Sequence, residues 1–182
     1  LNDSLILATV LTILPENAMN SLDTYDPKKK KDDVLISERS LKNGLKKVPK
    51  EFLKALVIRT LPNDVSKMKR NYLEQEPAFF SLEAMKYIVE AGVEHLLVDL
   101  PSVDRSHDEG KLNAHHLFWN IKAGHHEEAS NSMLHKTITE MIYVEEEIAD
   151  GPYLLNLQIA PFVSDAAPSR PLLYPLIKTS KS

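Results

Sequence analysis

The sequence predicts one α/β domain over residues 1–182, a mixed sheet or barrel with packed helices. Three observations carry that reading. Aliphatic and β-branched runs recur at 5–13, 53–60 and 95–99, each bounded by turn residues. An amphipathic helical stretch lies between the second and third runs. Strand, helix and strand in that order imply a right-handed parallel crossover. Toward the C-terminus, apolar segments at 137–144 and 153–160 flank Gly151-Pro152 and predict a long antiparallel hairpin.

The elements follow in chain order. Pro15 closes the first strand, and the polar residues 15–32 form an exposed excursion. Val34, Leu35 and Ile36 predict a short strand. Ser37 suits the N-cap of a helix over 37–47 whose Leu41 and Leu45 share a face. Gly44 weakens that helix and Pro49 ends it. Leu61-Pro62-Asn63-Asp64 stops the second strand with turn chemistry. Residues 62–78 read as polar and irregular, and they are long for a connection with no role. Ser81 caps a helix over 82–92 with Leu82, Met85, Ile88 and Val89 as its apolar stripe, and Gly92 suits the left-handed position that ends it. A short helix from Leu112 buries Leu117, Phe118 and Trp119. The alternation over 137–144 places Ile138, Glu140 and Ile142 on one face. A last short strand falls at 172–174.

Composition excludes several classes. Apolar residues make up 43% and charged residues 26%, as in ordinary globular proteins. The net charge of −4 indicates no nucleic-acid partner. Lys28-Lys29-Lys30-Lys31 is answered by Asp32-Asp33 and reads as a solvated turn. Cysteine is absent, which excludes disulfides and thiolate chemistry and fits a reducing compartment, so a cytoplasmic location is expected. No apolar run reaches the roughly 18–20 residues that span a bilayer, so no membrane partner is expected. The first residues lack the basic region and cleavage site of a signal peptide. The chain opens without methionine and is inside an apolar run by Leu5, so an upstream segment is expected.

Chemistry concentrates between Val98 and Glu140. Six of the seven histidines lie there: His107, His115, His116, His125, His126 and His135. With them come Asp99, Asp104, Asp108, Glu109, Glu127, Glu128 and Glu140. Histidine is the commonest metal ligand and exchanges protons near neutrality, but polar loops also collect histidines without function. Asp99 to Asp104 leaves a strand end, where open parallel sheets bind ligands. Glu140 shares a face with two isoleucines. Either that face is a wet edge, or the carboxylate is paired, protonated or metal-bound. His115 and His116 would point about 100° apart on a helix, so only one can face a site. His125, His126, Glu127, Glu128 and His135 read as solvated. No nucleotide-binding glycine motif, H-E-x-x-H or G-x-S-x-G is present, and no catalytic residue is identified.

HLLVDLPSVDRSHDEGKLNAHHLFWN, followed by TITEMIYVEEEIADGPYLLNLQIAPFVSDAAPSRPLLY, resembles the C-terminal half of the cyclase family, which includes bacterial kynurenine formamidases. LKALVIRTLPN and SLEAMKYIVEAGVEHLLVDLPSVD are similar to its middle portion. The resemblance implies a swivelling β/β/α fold and a divalent metal, zinc first and manganese second. It implies a metal-dependent hydrolase of a small amide, formamide or lactone, with a metal-activated water as nucleophile, and a homodimer or higher homo-oligomer. The family's histidine at the start of a short helix falls on His115, and its strand glutamate on Glu140. Asp104 and His116 are candidate supports behind them, Asp104 by holding a histidine tautomer. The family's N-terminal His-x-Gly-Thr-His motif, which supplies most ligands and the catalytic histidine, has no counterpart, because no histidine precedes His95. The domain is therefore expected to lack its N-terminal segment, and two ligands fall short of the three that hold a catalytic zinc. The rival expectations are a non-catalytic cyclase-like binding protein, an inactive fragment, or a histidine-rich metal buffer.

Overall fold

The computed structural model describes residues 4–122, 129–161, 164 and 166–177. In chain order the strands are β1 (Leu5–Ile13), β2 (Glu16–Asn17), β3 (Val34–Ile36), β4 (Ala55–Thr60), β5 (Phe79–Phe80), β6 (His95–Val98), β7 (Thr137–Thr139), β8 (Gly151–Asn156) and β9 (Leu172–Pro175). The helices are α1 (Glu38–Leu45), α2 (Leu82–Glu90) and α3 (Asn113–Trp119).

Six strands form a mixed sheet in the order β7-β6-β4-β1-β8-β9. The first four run parallel, with Ala8 opposite Ala55 and Leu56 opposite Leu96. The crossover from β4 through α2 to β6 is thus parallel, as the strand–helix–strand pattern requires. Strand β8 runs antiparallel to β1, and β9 antiparallel to β8. All six residues of β4 are buried, because helices cover one face and the chain after β7 covers the other. Leu11 and Ile13 face the helical layer, where Leu41, Met85, Ile88 and Phe118 complete the core. Ile6, Ala8 and Val10 face the opposite side and meet Val144, Leu155 and Leu157. Each such large side chain adds about 1.5–3 kcal/mol on burial.

The caps at Ser37 and Ser81 form as expected: each hydroxyl accepts from the backbone N–H three residues on, of Ser40 and Ala84. Gly92 has φ +84° after α2. Gly44 has a packing role. A Cβ there would stand 2.6 Å from Leu11 Cδ1, so the bare backbone lets α1 lie close on β1.

Three expectations need correction. The hairpin between 137–144 and 153–160 does not form: β7 ends at Thr139 and pairs in parallel with β6, while β8 pairs with β1 and β9. Alternation reports two faces but not the neighbour, and in the folded sheet the segment pairs along the edge of β6. Glu140 therefore follows the strand and does not share a strand face with Ile142. A second sheet, β2-β3-β5, went unread because two of its strands are only two residues long. The lysine run is also less solvated than expected. Lys29 Nζ donates to the carbonyls of Ala18, Ser21 and Asp23 and ties the excursion together.

Candidate functional site

The site is built where the parallel strands deliver their carboxyl ends. Asp99, just past β6, is buried and accepts from the N–H and hydroxyl of Thr60 at the end of β4. Lys67 Nζ reaches the same carboxylate at 2.7 Å, with both side chains almost fully buried. It also donates to the Thr60 carbonyl and hydroxyl. This knot makes Asp99 a structural residue and fixes the origin of the loop that follows.

That loop carries Asp104 beneath the start of α3. Leu112 precedes the helix in the left-handed region, at φ 48°, and its side chain offers no cap. Asp104 supplies the cap from eight residues upstream. Its Oδ1 accepts from the Ala114 N–H at 2.7 Å, and its Oδ2 from the His115 N–H at 3.2 Å. A carboxylate here answers orphan donors and the positive end of the helix together. Oδ2 also meets His115 Nδ1 at 2.6 Å, and Oδ1 accepts from the Tyr25 hydroxyl at 2.7 Å.

Burial alone would raise the Asp104 carboxyl, but hydrogen bonds from His115, Ala114 and Tyr25 outweigh it and hold the pKa below the usual aspartate value. An ionised Asp104 places the imidazole proton on Nδ1 and leaves a lone pair on Nε2. Nε2 stands 3.5 Å from Glu140 Oε1. Glu140 is positioned by the Val103 N–H at 2.9 Å and by a sharp turn at Met141, where φ is 59°. Burial pushes the Glu140 carboxyl above the ordinary glutamate value, against the pull of His115 and the Val103 N–H. One imidazole thus lies between two carboxyls whose pKa values move in opposite directions.

The donor set can be tested against a metal. Two tetrahedral ligands at roughly 2.0–2.2 Å from zinc stand about 3.4 Å apart. The Nε2–Oε1 separation fits that edge, and an imidazole nitrogen with a carboxylate oxygen suits zinc or manganese. The number of donors is short: among the described residues no group of three histidine, aspartate or glutamate side chains could hold an ion.

The remaining candidates separate cleanly. His116 is buried on the adjacent helical position, about 100° from His115. His107 is exposed and pairs with Glu76, and His135 is exposed. His125, His126, Glu127 and Glu128 lie outside the described residues. Asp108 caps the turn before α3 by accepting from the N–H groups of Gly110 and Leu112. Tyr25 is the contributor that sequence reasoning missed. Its hydroxyl accepts from the Arg105 N–H while donating to Asp104, and burial with the Asp104 charge raises its pKa. Nothing in its polar surroundings marked it.

A six-stranded mixed sheet with helices on one face defines an α/β architecture that this chain shares with solved structures. One neighbour is titled "predicted metal-dependent hydrolase from Bacillus stearothermophilus"; it superposes with a TM-score of 0.57 at 14% identity, over 94% of this chain and 64% of that one. Another, titled "potential metal-dependent hydrolase with cyclase activity", gives 0.57 at 16% identity, over 95% and 66%. The chain thus spans just under two thirds of the length of each. No curated protein matches the sequence. The family model described as "Putative cyclase" matches residues 8–105, more than half of the chain. The chain belongs to the Cyclase family. Among the described residues no helix is long and apolar enough to cross a membrane.

Proposed function

We propose that the protein is a metal-dependent hydrolase of a small amide, formamide or lactone, with His115 and Glu140 as two ligands of a divalent ion. The observation that carries this reading is the His115 ring, oriented at Nδ1 by Asp104 with Nε2 turned to Glu140. Zinc is the first candidate and manganese the second. Such an ion, when bound, supplies an activated water and a positive charge for a developing oxyanion. Asp104 would hold the tautomer, Tyr25 would hold Asp104, and the Val103 N–H would aim Glu140. Further ligands and the catalytic base would come from outside the described residues of this chain. A homo-oligomer fits the exposed apolar side chains Leu5 and Leu7 on β1 and Leu172 and Tyr174 on β9.

Zinc and manganese titration of the whole chain tests the assignment. His115→Ala and Glu140→Ala should each weaken binding at least tenfold. If both variants take up metal like the wild type, the ligand assignment fails. A second reading, a non-catalytic cyclase-fold protein that binds a small molecule, draws on the ligand count: two donors converge among the described residues, where catalytic zinc has three. It predicts no metal uptake by the wild type.

A further inference from the structure

Beyond the carboxyl ends of β1 and β4 lies a cavity of about 300 Å³, lined on one side by Leu14, Pro15, Leu61, Pro62, Ala78 and Leu100. That volume is at the small end of ligand pockets and suits a single flat ring. Its other wall comes from the connection that was too long to be idle, through Arg70, Tyr72 and Glu76. The Arg70 guanidinium lies 6.0 Å from the centroid of the Tyr72 ring.

Arg70 is half-buried. Arg59 and Arg105, which are buried, each have a carboxylate partner, Asp150 at 3.3 Å and Asp33 at 2.9 Å. Among the described residues Arg70 has no ion pair, and its guanidinium donates no hydrogen bond. Asp64 senses its charge but caps its own turn, accepting from Ser66. Glu76 is engaged by His107 at 2.7 Å. The guanidinium nitrogens stay within reach of water and take no acceptor among the described residues, so their planar donors are open to a carboxylate entering the cavity. One lining residue, Leu100, is bonded to the segment that carries Glu140. The Leu100 carbonyl accepts from the N–H of Met141, the residue after Glu140.

We propose that this cavity binds a flat apolar group bearing a carboxylate, the anion gripped by Arg70 and the ring laid against Tyr72 and the apolar wall. That this group is the body of the substrate rests on the hydrolase reading; the anion site itself does not. Benzoate and benzyl alcohol, titrated into the whole chain and followed by NMR, are the test. Wild type should bind benzoate at least tenfold more tightly than the alcohol. Arg70→Met should erase that preference while leaving the alcohol unchanged, and Arg70→Lys, which keeps charge but not the fork, should weaken benzoate several-fold. Equal affinity for the two probes, or undiminished benzoate binding in either variant, overturns the proposal. The Lys variant decides if the Met variant does not fold. Benzoate binding should persist in His115→Ala/Glu140→Ala, so loss of metal binding there bears on the hydrolase reading alone.

Discussion

Replacing Asp104 by asparagine changes one atom and reaches both the fold and the site. The carboxylate accepts four hydrogen bonds, two at each oxygen. Asparagine has one oxygen, and the least costly arrangement keeps it toward Tyr25 and Ala114. The amide nitrogen then faces the His115 backbone N–H and Nδ1. To avoid donor against donor, the imidazole proton must move to Nε2, so that Nδ1 accepts. The His115 N–H remains unanswered, at about 1–3 kcal/mol, and a charge-assisted bond becomes a neutral one at about 1 kcal/mol. Together they lower stability by about 2–4 kcal/mol, a drop of roughly 5–12 °C in Tm for a chain of this length. With the proton on Nε2, metal affinity should fall about 10–100-fold although His115 is intact. Nitrogen-15 NMR of labelled histidine reports the tautomer, and urea unfolding reports the stability. A variant that keeps the Nδ1–H form and unfolds at the wild-type urea concentration would refute the role given to Asp104.

Other perturbations probe the scaffold. Lys67→Met leaves Asp99 buried beside an apolar side chain and should cost about 3–5 kcal/mol by urea unfolding, whereas a loss below 1 would mean the pair is dispensable. Gly44→Ala gains about 1 kcal/mol of helix propensity. It also drives a methyl into Leu11, at about 1–3 kcal/mol, so a small net loss is expected where an exposed helical glycine would show a gain. Burial lowers the His95 pKa below 6.5. The unfolded chain then binds the proton more readily, so this contribution is full above pH 6.5 and declines as pH falls toward the folded pKa. His95→Gln should flatten that part of the stability–pH curve, and an unchanged slope would place the titration elsewhere.

Much of this was legible in the chain. β1 and β3 fall where their apolar runs lie, and β4, β6, α1 and α2 lie within theirs, since both caps and the terminal glycine announce their chemistry locally. What failed was partner choice. The alternation of Thr137 to Thr139 is compatible with any neighbour, and only the assembled sheet offers β6. Asp104 could be suspected from its place after a strand, but not Tyr25, which joins it across 79 residues. Arg70 and Tyr72 were invisible for the same reason. A polar connection acquires meaning only when the cavity it closes is present.

The sheet also imposes an order of events on synthesis. β1 takes one neighbour from β4 and its other from β8, and Thr12 and Asp150, bonded across that second junction, are 138 residues apart. At roughly 5–20 residues per second, a ribosome leaves that flank of β1 unpaired for about 7–28 s. During that interval a bare edge with Ile6, Ala8 and Val10 on one face is a template for any other nascent strand. Arrest before Asp150 should therefore yield aggregates rather than a smaller folded protein, and chaperone demand should end abruptly once β8 has emerged.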